Sequence, residues 1–517
     1  MCGIALVCGP CAGDVWASLL RAIERRGPDA VQESAISVGA QTAHLGASVL
    51  CLRGEGVTRQ PFSANGLHFV WNGEVFDGRD GAWAPSENDG AALFQSIVEK
   101  AGKGDVRAAL VAALAEIEGP YAFVLVDEEH RCVYYGRDPL GRRSLLRSAS
   151  PFALASVSTQ ESVESGWVWE EVPCASLWCA QLDTPATDAV DRTSEFASRL
   201  LVSDAEWKDN DTPALDAFHA TLSESVARRV CDIRPDPTQS KTDAHVAVLF
   251  SGGVDCTVLA ALAHAHIPPE QSIDLINVAF ENPRSLAAHH RDDPYAVPDR
   301  ITAYASAQEL RAMAPHRQWD LIEVNVPYAT YEAHLDQVKA LLAPCTSVMD
   351  LSIAAALYFA ARAQGRVGGC AYTSPARVFL SGLGADELLA GYSRHRQAFR
   401  RGGDDALRAE LQLDLDRLPT RNLGRDDRVI SAHAREARFP YLARSVLVQV
   451  CALPLSTKAD LSPGTEGTGD KRLLRKLARR LGLPHASALP KRAIQFGARS
   501  AKLDAASARR KGSEALS

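Results

Sequence analysis

Hydrophobic positions in the first third of the chain fall in short runs. The segments 3–8 (GIALVC), 66–71 (GLHFVW), 120–127 (PYAFVLVD) and 131–136 (RCVYYG) are apolar or alternating and rich in valine and aromatics. Turn residues such as Asn72-Gly73 and Asp138-Pro139-Leu140-Gly141 bound them, so the pattern predicts strands. Only 90–117 predicts helix. Periodicity then lapses over 183–214, a stretch rich in Asp, Thr and Pro that reads as a linker. Beyond it the rhythm changes. Strands are predicted at 245–250, 272–280, 319–326 and 377–381, and helices at 254–265, 301–313, 350–363 and 386–400. Strands alternating with helices predict a parallel sheet with helical crossovers. The stretches 232–244 and 281–300 read as surface insertions. The expected organisation is a β-rich domain over 1–182, a linker over 183–214 and an α/β domain over 215–517.

Composition narrows the class. The 517 residues are 46% hydrophobic and 23% charged, as in ordinary globular proteins, and leave room for two domains. A net charge of −7 argues against a general nucleic-acid binder and against strong attraction to membranes. The N-terminus has no basic region followed by an apolar core, so no signal peptide is expected. The longest apolar stretch, 246–262, is broken by Ser251-Gly252-Gly253 and Asp255, so no membrane span is expected. A cytoplasmic protein follows, with its twelve cysteines mostly reduced, buried or catalytic. Residues 471–511 hold thirteen Lys and Arg against one Asp, and Leu473, Leu474, Leu477 and Leu481 give 472–481 an apolar stripe. This predicts an amphipathic helix whose basic face is either solvated or a positive wall for phosphates.

Two segments carry chemistry. Ser251-Gly252-Gly253-Val254-Asp255 follows a predicted strand and opens a predicted helix. Glycines let the backbone approach an anion, the helix N-terminus offers free N–H groups, and Asp255 adds a carboxylate suited to Mg²⁺. The pattern is not the GxxxxGK[ST] of kinases and GTPases. The chain also begins MCGIALVCGPC, which offers Cys2 as a nucleophile or Cys8 and Cys11 as a redox pair. A redox CxxC at the start of a helix over 14–25 would need a thioredoxin-like domain around it, and the sequence offers none.

SGGVDCT resembles the pyrophosphate loop of the ATP pyrophosphatases, and 381–392 (SGLGADELLAGY) resembles the SGEGADE…GGY segment of glutamine-dependent asparagine synthetases. The N-terminal Met-Cys-Gly-Ile, Arg26-Gly27-Pro28-Asp29, Asn72-Gly73-Glu74, Asp89 and Arg137-Asp138…Gly141 resemble that family's glutaminase domain. The stretches 384–396, 420–430, 436–442 and 489–497 are most similar to the asparagine synthetase domain-containing protein 1 family. The resemblance implies a fold and a set of roles. The fold is an N-terminal-nucleophile glutaminase sandwich followed by a parallel-sheet ATP-pyrophosphatase domain of the adenine nucleotide α-hydrolase type.

In the first domain Met1 is removed and Cys2 becomes the catalytic nucleophile, with its own α-amine as base. Asn72 and Gly73 form the oxyanion hole, Glu74 and Asp89 bind glutamine, and Arg53 replaces the family arginine that binds the glutamine carboxylate. In the second domain Ser251, Gly252, Gly253 and Asp255, with Ser381 and Gly382, hold ATP and the acyl-adenylate. Phe250 and Phe280 line the adenine pocket, and Asp255 and Asp386 share Mg²⁺. The implied partners are the small molecules glutamine and aspartate, and self-association into a homo-oligomer is left open. Two family residues are replaced. Leu383 stands where a proton-managing Glu is usual, and Ala493 stands where a Lys is usual, with Lys471, Lys491 and Arg492 as nearby cations. The alternative is a pseudo-synthetase that keeps the scaffold for regulation or binding.

Overall fold

A computed structural model describes residues 2–10, 13–78, 87–102, 104–174, 176–182, 187–191, 202–203, 211–284, 293–465, 467–501, 503 and 513–515. The early apolar runs form two facing six-stranded sheets. In the first, the strand Gly3–Cys8 lies antiparallel between Phe152–Ala155 and Gln41–Val49. In the second, Tyr121–Asp127 lies between Leu67–Gly73 and Cys132–Arg137. Alternation divides the first strand: Ile4 and Leu6 enter the core between the sheets with Val70, Ala122 and Val124, while Ala5 and Val7 face the helix Gly13–Glu24. The second sheet buries Phe69, Trp71 and Phe123 beneath the helices Asp89–Ala101 and Val106–Ala115. The result is a helix–sheet–sheet–helix sandwich. The helix expected over 90–117 is thus two helices, because Gly102 ends the first at φ +51° and the Asp105 carboxylate caps the second.

The strand Thr187–Asp191 falls inside the stretch read as linker and extends the second sheet by pairing with Ser176–Gln181. The helix Asp211–Val230 then leads into a seven-stranded sheet. Its core is five parallel strands in the order Trp319–Val326, Ile273–Phe280, Val246–Leu249, Val378–Leu380 and Glu436–Arg438. A hairpin, Gln364–Val367 with Cys370–Thr373, runs antiparallel at one edge. The pattern predicted neither this hairpin nor Glu436–Arg438, since both are short and carry charged or polar residues. The helix expected over 386–400 is interrupted: Ala385–Leu388 ends before Gly391, and a new helix starts at Ser393. No helix among the described residues is long and apolar enough to cross a membrane.

The two halves meet through buried ion pairs. Arg26 bonds Asp427 at 2.8 Å, Arg143 meets Glu436 at 3.3 Å, and Arg428 pairs with Glu171. Arg377 bonds Asp29 of the RGPD turn at 2.6 Å, and Arg142 donates to the Leu442 carbonyl.

Candidate active sites

Cys2 directly precedes the strand Gly3–Cys8, on the parity of Ile4 and Leu6, at the edge of the inter-sheet core. Its carbonyl accepts a bond from Arg26 at 3.2 Å. Burial pushes the Cys2 thiol up to about 11, and Asp89 and Glu436 are near enough to act on it electrostatically. Asn72 shares parity with Val70 on the facing sheet, so it too points between the sheets. It is fully buried, and among the described residues neither its carboxamide nitrogen nor its oxygen has a hydrogen-bond partner. Gly73 beside it is pressed against Trp71, where a β-carbon would lie 2.6 Å from the indole.

Glu74, Asp89 and Arg53 converge. Arg53 donates to the Val75 carbonyl at 2.7 Å and lies 3.7 Å from Glu74. The Asp89 carboxylate accepts the N–H groups of Val75 and Gly90, both at 2.8 Å. Burial raises the Asp89 carboxyl, opposed by Arg53 and these two N–H bonds. Burial also pushes Glu74 up to about 7, opposed by Arg438. Arg438 and Glu436 come from the second domain. Arg438 lies 3.7 Å from Glu74 and bonds Glu436 at 2.6 Å, and against the cost of burial Arg438 and Arg143 hold the Glu436 carboxyl low. These two residues were missed by sequence reasoning. Their signals are the charges Glu436 and Arg438 themselves and their place in 436–442, a stretch similar to the family.

Cys8 ends its strand buried, and burial pushes its thiol up to about 12, the opposite of an activated redox cysteine. Cys11 lies outside the described residues.

The second site is a cleft of about 870 Å³ at the C-terminal ends of the parallel strands. The strand Val246–Leu249 runs through Phe250 into Ser251-Gly252-Gly253, and the helix Val254–His264 starts there without a side-chain cap. Its first N–H groups are therefore free to meet an anion. Gly252 has φ +79°, and a β-carbon there would lie 2.5 Å from the backbone of Thr302 and Ala303. Thr302 and Ser306 fix the loop by donating to the Ser251 and Gly252 carbonyls, each at 2.7 Å. The neighbouring strand delivers Ser381 and Gly382, and Gly382 packs against Asp255. Phe250, Leu249, Ile276 and Val278 form an apolar end of the cleft. Phe280, expected to line that pocket, is instead fully buried behind it, edge-on to Tyr331 and Phe359. Phe280 shares the parity of Ile276 and Val278, but at the strand end it packs against the helices Tyr328–Leu342 and Val348–Arg362 and not on the cleft.

Asp255 and Asp386 share a cation: the Lys471 ammonium lies 2.6 Å from Asp255 and 2.7 Å from Asp386. Lys491 pairs with the other Asp386 oxygen. Against the cost of burial, Lys471 and Lys491 hold the Asp386 carboxyl far below the usual range. Gly391 makes room for this arrangement, because a β-carbon there would lie 2.0 Å from Asp386. Two carboxylates converging on one positive charge suit Mg²⁺ completed by phosphate oxygens. Among the described residues there is no cluster of three His, Cys, Asp or Glu to hold a metal without such help. Lys491, out of register for the usual lysine, thus reaches the site even though Ala493 does not supply a charge. Leu383 lines the cleft with an apolar side chain. The basic helix, Arg472–Arg480, only partly forms a positive wall. Lys471 and Arg475 line the cleft, whereas Arg480 pairs with Asp216 on the surface.

The asparagine synthase family matches residues 237–404 and 399–510, and the glutamine amidotransferase domain family matches 1–163. An asparagine synthetase domain-containing protein 1 from Gallus gallus is 34% identical over 93% of this chain and 93% of its own. The Mus musculus protein of that name is 33% identical over 94% of each. The chain belongs to the asparagine synthetase domain-containing protein 1 family. A putative asparagine synthetase [glutamine-hydrolyzing] 1 from Methanocaldococcus jannaschii is 25% identical over 67% of this chain and 58% of its own. Among solved structures, a glutamine phosphoribosylpyrophosphate amidotransferase from B. subtilis aligns with 53% of this chain and 66% of its own at 16% identity and TM-score 0.30. Membership of the family accounts for the sandwich standing before the parallel sheet.

Proposed function

We propose that the protein is a glutamine-dependent amide synthetase of the asparagine synthetase type. The observation that carries this reading is the Asp255–Lys471–Asp386 cluster beside an uncapped phosphate loop, in a chain whose Asn72 carboxamide, unpartnered among the described residues, faces the same inter-sheet space as Cys2. Removal of Met1 frees the Cys2 α-amine. That amine takes the thiol proton, which offsets a thiol otherwise raised to about 11. The Cys2 sulfur attacks the glutamine carboxamide, and the Asn72 side chain and Gly73 N–H donate to the oxyanion. Asp89 and Glu74 hold the substrate amine, and Arg53 holds its carboxylate. Ammonia leaves and water cleaves the thioester.

In the second domain Ser251–Gly253 and Ser381 bind the nucleotide phosphates. Asp255 and Asp386 hold Mg²⁺, which when bound neutralises phosphate charge. Lys491 supplies the cation that Ala493 does not. The acceptor carboxylate, aspartate in this reading, is activated at the expense of ATP, and ammonia completes the amide.

The test is purified protein with glutamine, aspartate and Mg-ATP, following glutamate and pyrophosphate separately beside Cys2→Ala. Both products with asparagine support the proposal, and absence of both removes it. Leu383 favours a second reading, a scaffold whose synthetase half has lapsed. There, glutamate appears without pyrophosphate, and Leu383→Glu restores asparagine formation.

A further inference from the structure

The apolar end of the cleft contains a carboxylate that neither the phosphate loop nor the Asp255–Asp386 pair explains. Asp299 stands in the first turn of the helix Pro298–Met313, one turn before the Thr302 that holds the Ser251 carbonyl. It is buried, lines the cleft together with Phe250, Ile276 and Val278, and packs flat on the Gly497 backbone, where a β-carbon would lie 1.9 Å from its oxygen. Its charged neighbours are the Arg492 guanidinium, at 3.5 Å and so longer than a direct hydrogen bond, and Lys491, near enough to act on it electrostatically. Burial accordingly pushes its carboxyl up to about 7, opposed by Arg492. A buried carboxylate whose nearest donor among the described residues is a guanidinium at 3.5 Å, set among the walls that would hold a base, can accept from a donor on the ligand. The triphosphate cannot be that ligand group, since it carries no donor and like charge would repel.

We propose that Asp299 is a specificity-determining residue that accepts a hydrogen bond from the nucleoside of ATP, either from the exocyclic amine of the base or from a ribose hydroxyl. The proposal rests on the ATP-binding reading of this cleft. Both sources share one chemistry, an uncharged donor aimed at a carboxylate, and nucleotide analogues separate them. ITP lacks the exocyclic amine, and 2′-deoxy-ATP and 3′-deoxy-ATP each lack one hydroxyl.

The experiment is calorimetric binding of ATP and these three analogues, each with Mg²⁺, to the full-length protein and to Asp299→Ala, Asp299→Asn and Arg492→Ala, with melting curves to verify folding. At pH 8, where the Asp299 carboxylate is ionised, a hydrogen bond to a charged acceptor predicts that the wild type binds ATP about 10- to 100-fold more tightly than one of the analogues. Asp299→Ala should abolish that ratio by weakening ATP and the analogues that keep the donor while sparing the one that lacks it, and the isosteric Asp299→Asn should retain part of it. Arg492→Ala should weaken all four ligands alike. Equal affinity of the wild type for all four overturns the proposal, as does a ratio that survives Asp299→Ala. So does a ratio that vanishes in Arg492→Ala, because Asp299 would then act only by anchoring Arg492. If no nucleotide binds the wild type, the ATP reading itself falls, a result distinct from equal binding.

Discussion

Burying the Asn72 carboxamide with neither atom bonded costs about 1–3 kcal/mol for each unsatisfied group. A folded chain tolerates that where the donor is needed later, and an oxyanion hole is such a place. Asn72→Ala should therefore lower kcat for glutamate release by about 10²- to 10³-fold while leaving the melting temperature unchanged or raised. Steady-state assay and a melting curve check both halves of this expectation. A purely structural asparagine would show the reverse: lower stability and preserved rate. At Gly252 the constraint is backbone. Its φ of +79° and the 2.5 Å approach of Thr302 and Ala303 leave no room for a side chain. Gly252→Ala should abolish nucleotide binding, measured by calorimetry, or prevent folding of the loop. An alanine variant that binds normally would show that the loop is not under this constraint.

At the scale of elements, the strands with strong alternation or continuous apolar character were legible. Gly3–Cys8, Tyr121–Asp127, Ile273–Phe280 and Trp319–Val326 lie where hydrophobicity alone puts them. What escaped has physical causes. Glu436–Arg438 is a three-residue strand whose side chains are mostly charged, and it is buried only because the other domain supplies partners. The resemblance names Lys471 and Lys491 as candidate cations, but they lie far in sequence from the carboxylates they neutralise, so their meeting at Asp386 was not legible from spacing. Phe280 misled because an aromatic at a strand end suits a nucleotide pocket and a core equally. Asp299 sits in the region taken as an insertion, where a polar stretch hid the start of a helix.

The whole molecule is joined by charges that water does not reach. Arg26 and Asp427 are both buried at the domain interface, and the Ser144 N–H also donates to Asp427. Asp427→Ala leaves the guanidinium unpaired and should cost about 3–5 kcal/mol, read as a lower urea midpoint. A change within error would mean that Arg26 finds another acceptor. A second whole-molecule property is the response to pH. Asp274 is buried beside Asp320 in register on the next strand, and burial pushes its carboxyl from 3.8 up to about 7, opposed by a bond from Ser374. A raised folded value means that its stabilising contribution is complete below the unfolded value and is lost as pH rises through about 7. Asp274→Asn should gain on the wild type steadily between pH 4 and pH 7, and paired melting curves across that range measure it. A constant difference would place the titration elsewhere.

The lysine held between Asp255 and Asp386 has one more consequence. With no ligand bound, the carboxylates already have a counter-ion, and it is tethered to the chain. A divalent ion arriving alone must evict that ammonium at an effective concentration set by covalent linkage, whereas an ion arriving on a nucleotide brings phosphate oxygens for the ammonium to move to. Loading is then a counter-ion exchange. Free Mg²⁺ should bind weakly and chelators should leave the resting fold intact, while nucleotide and metal should each tighten the other's binding when titrated together.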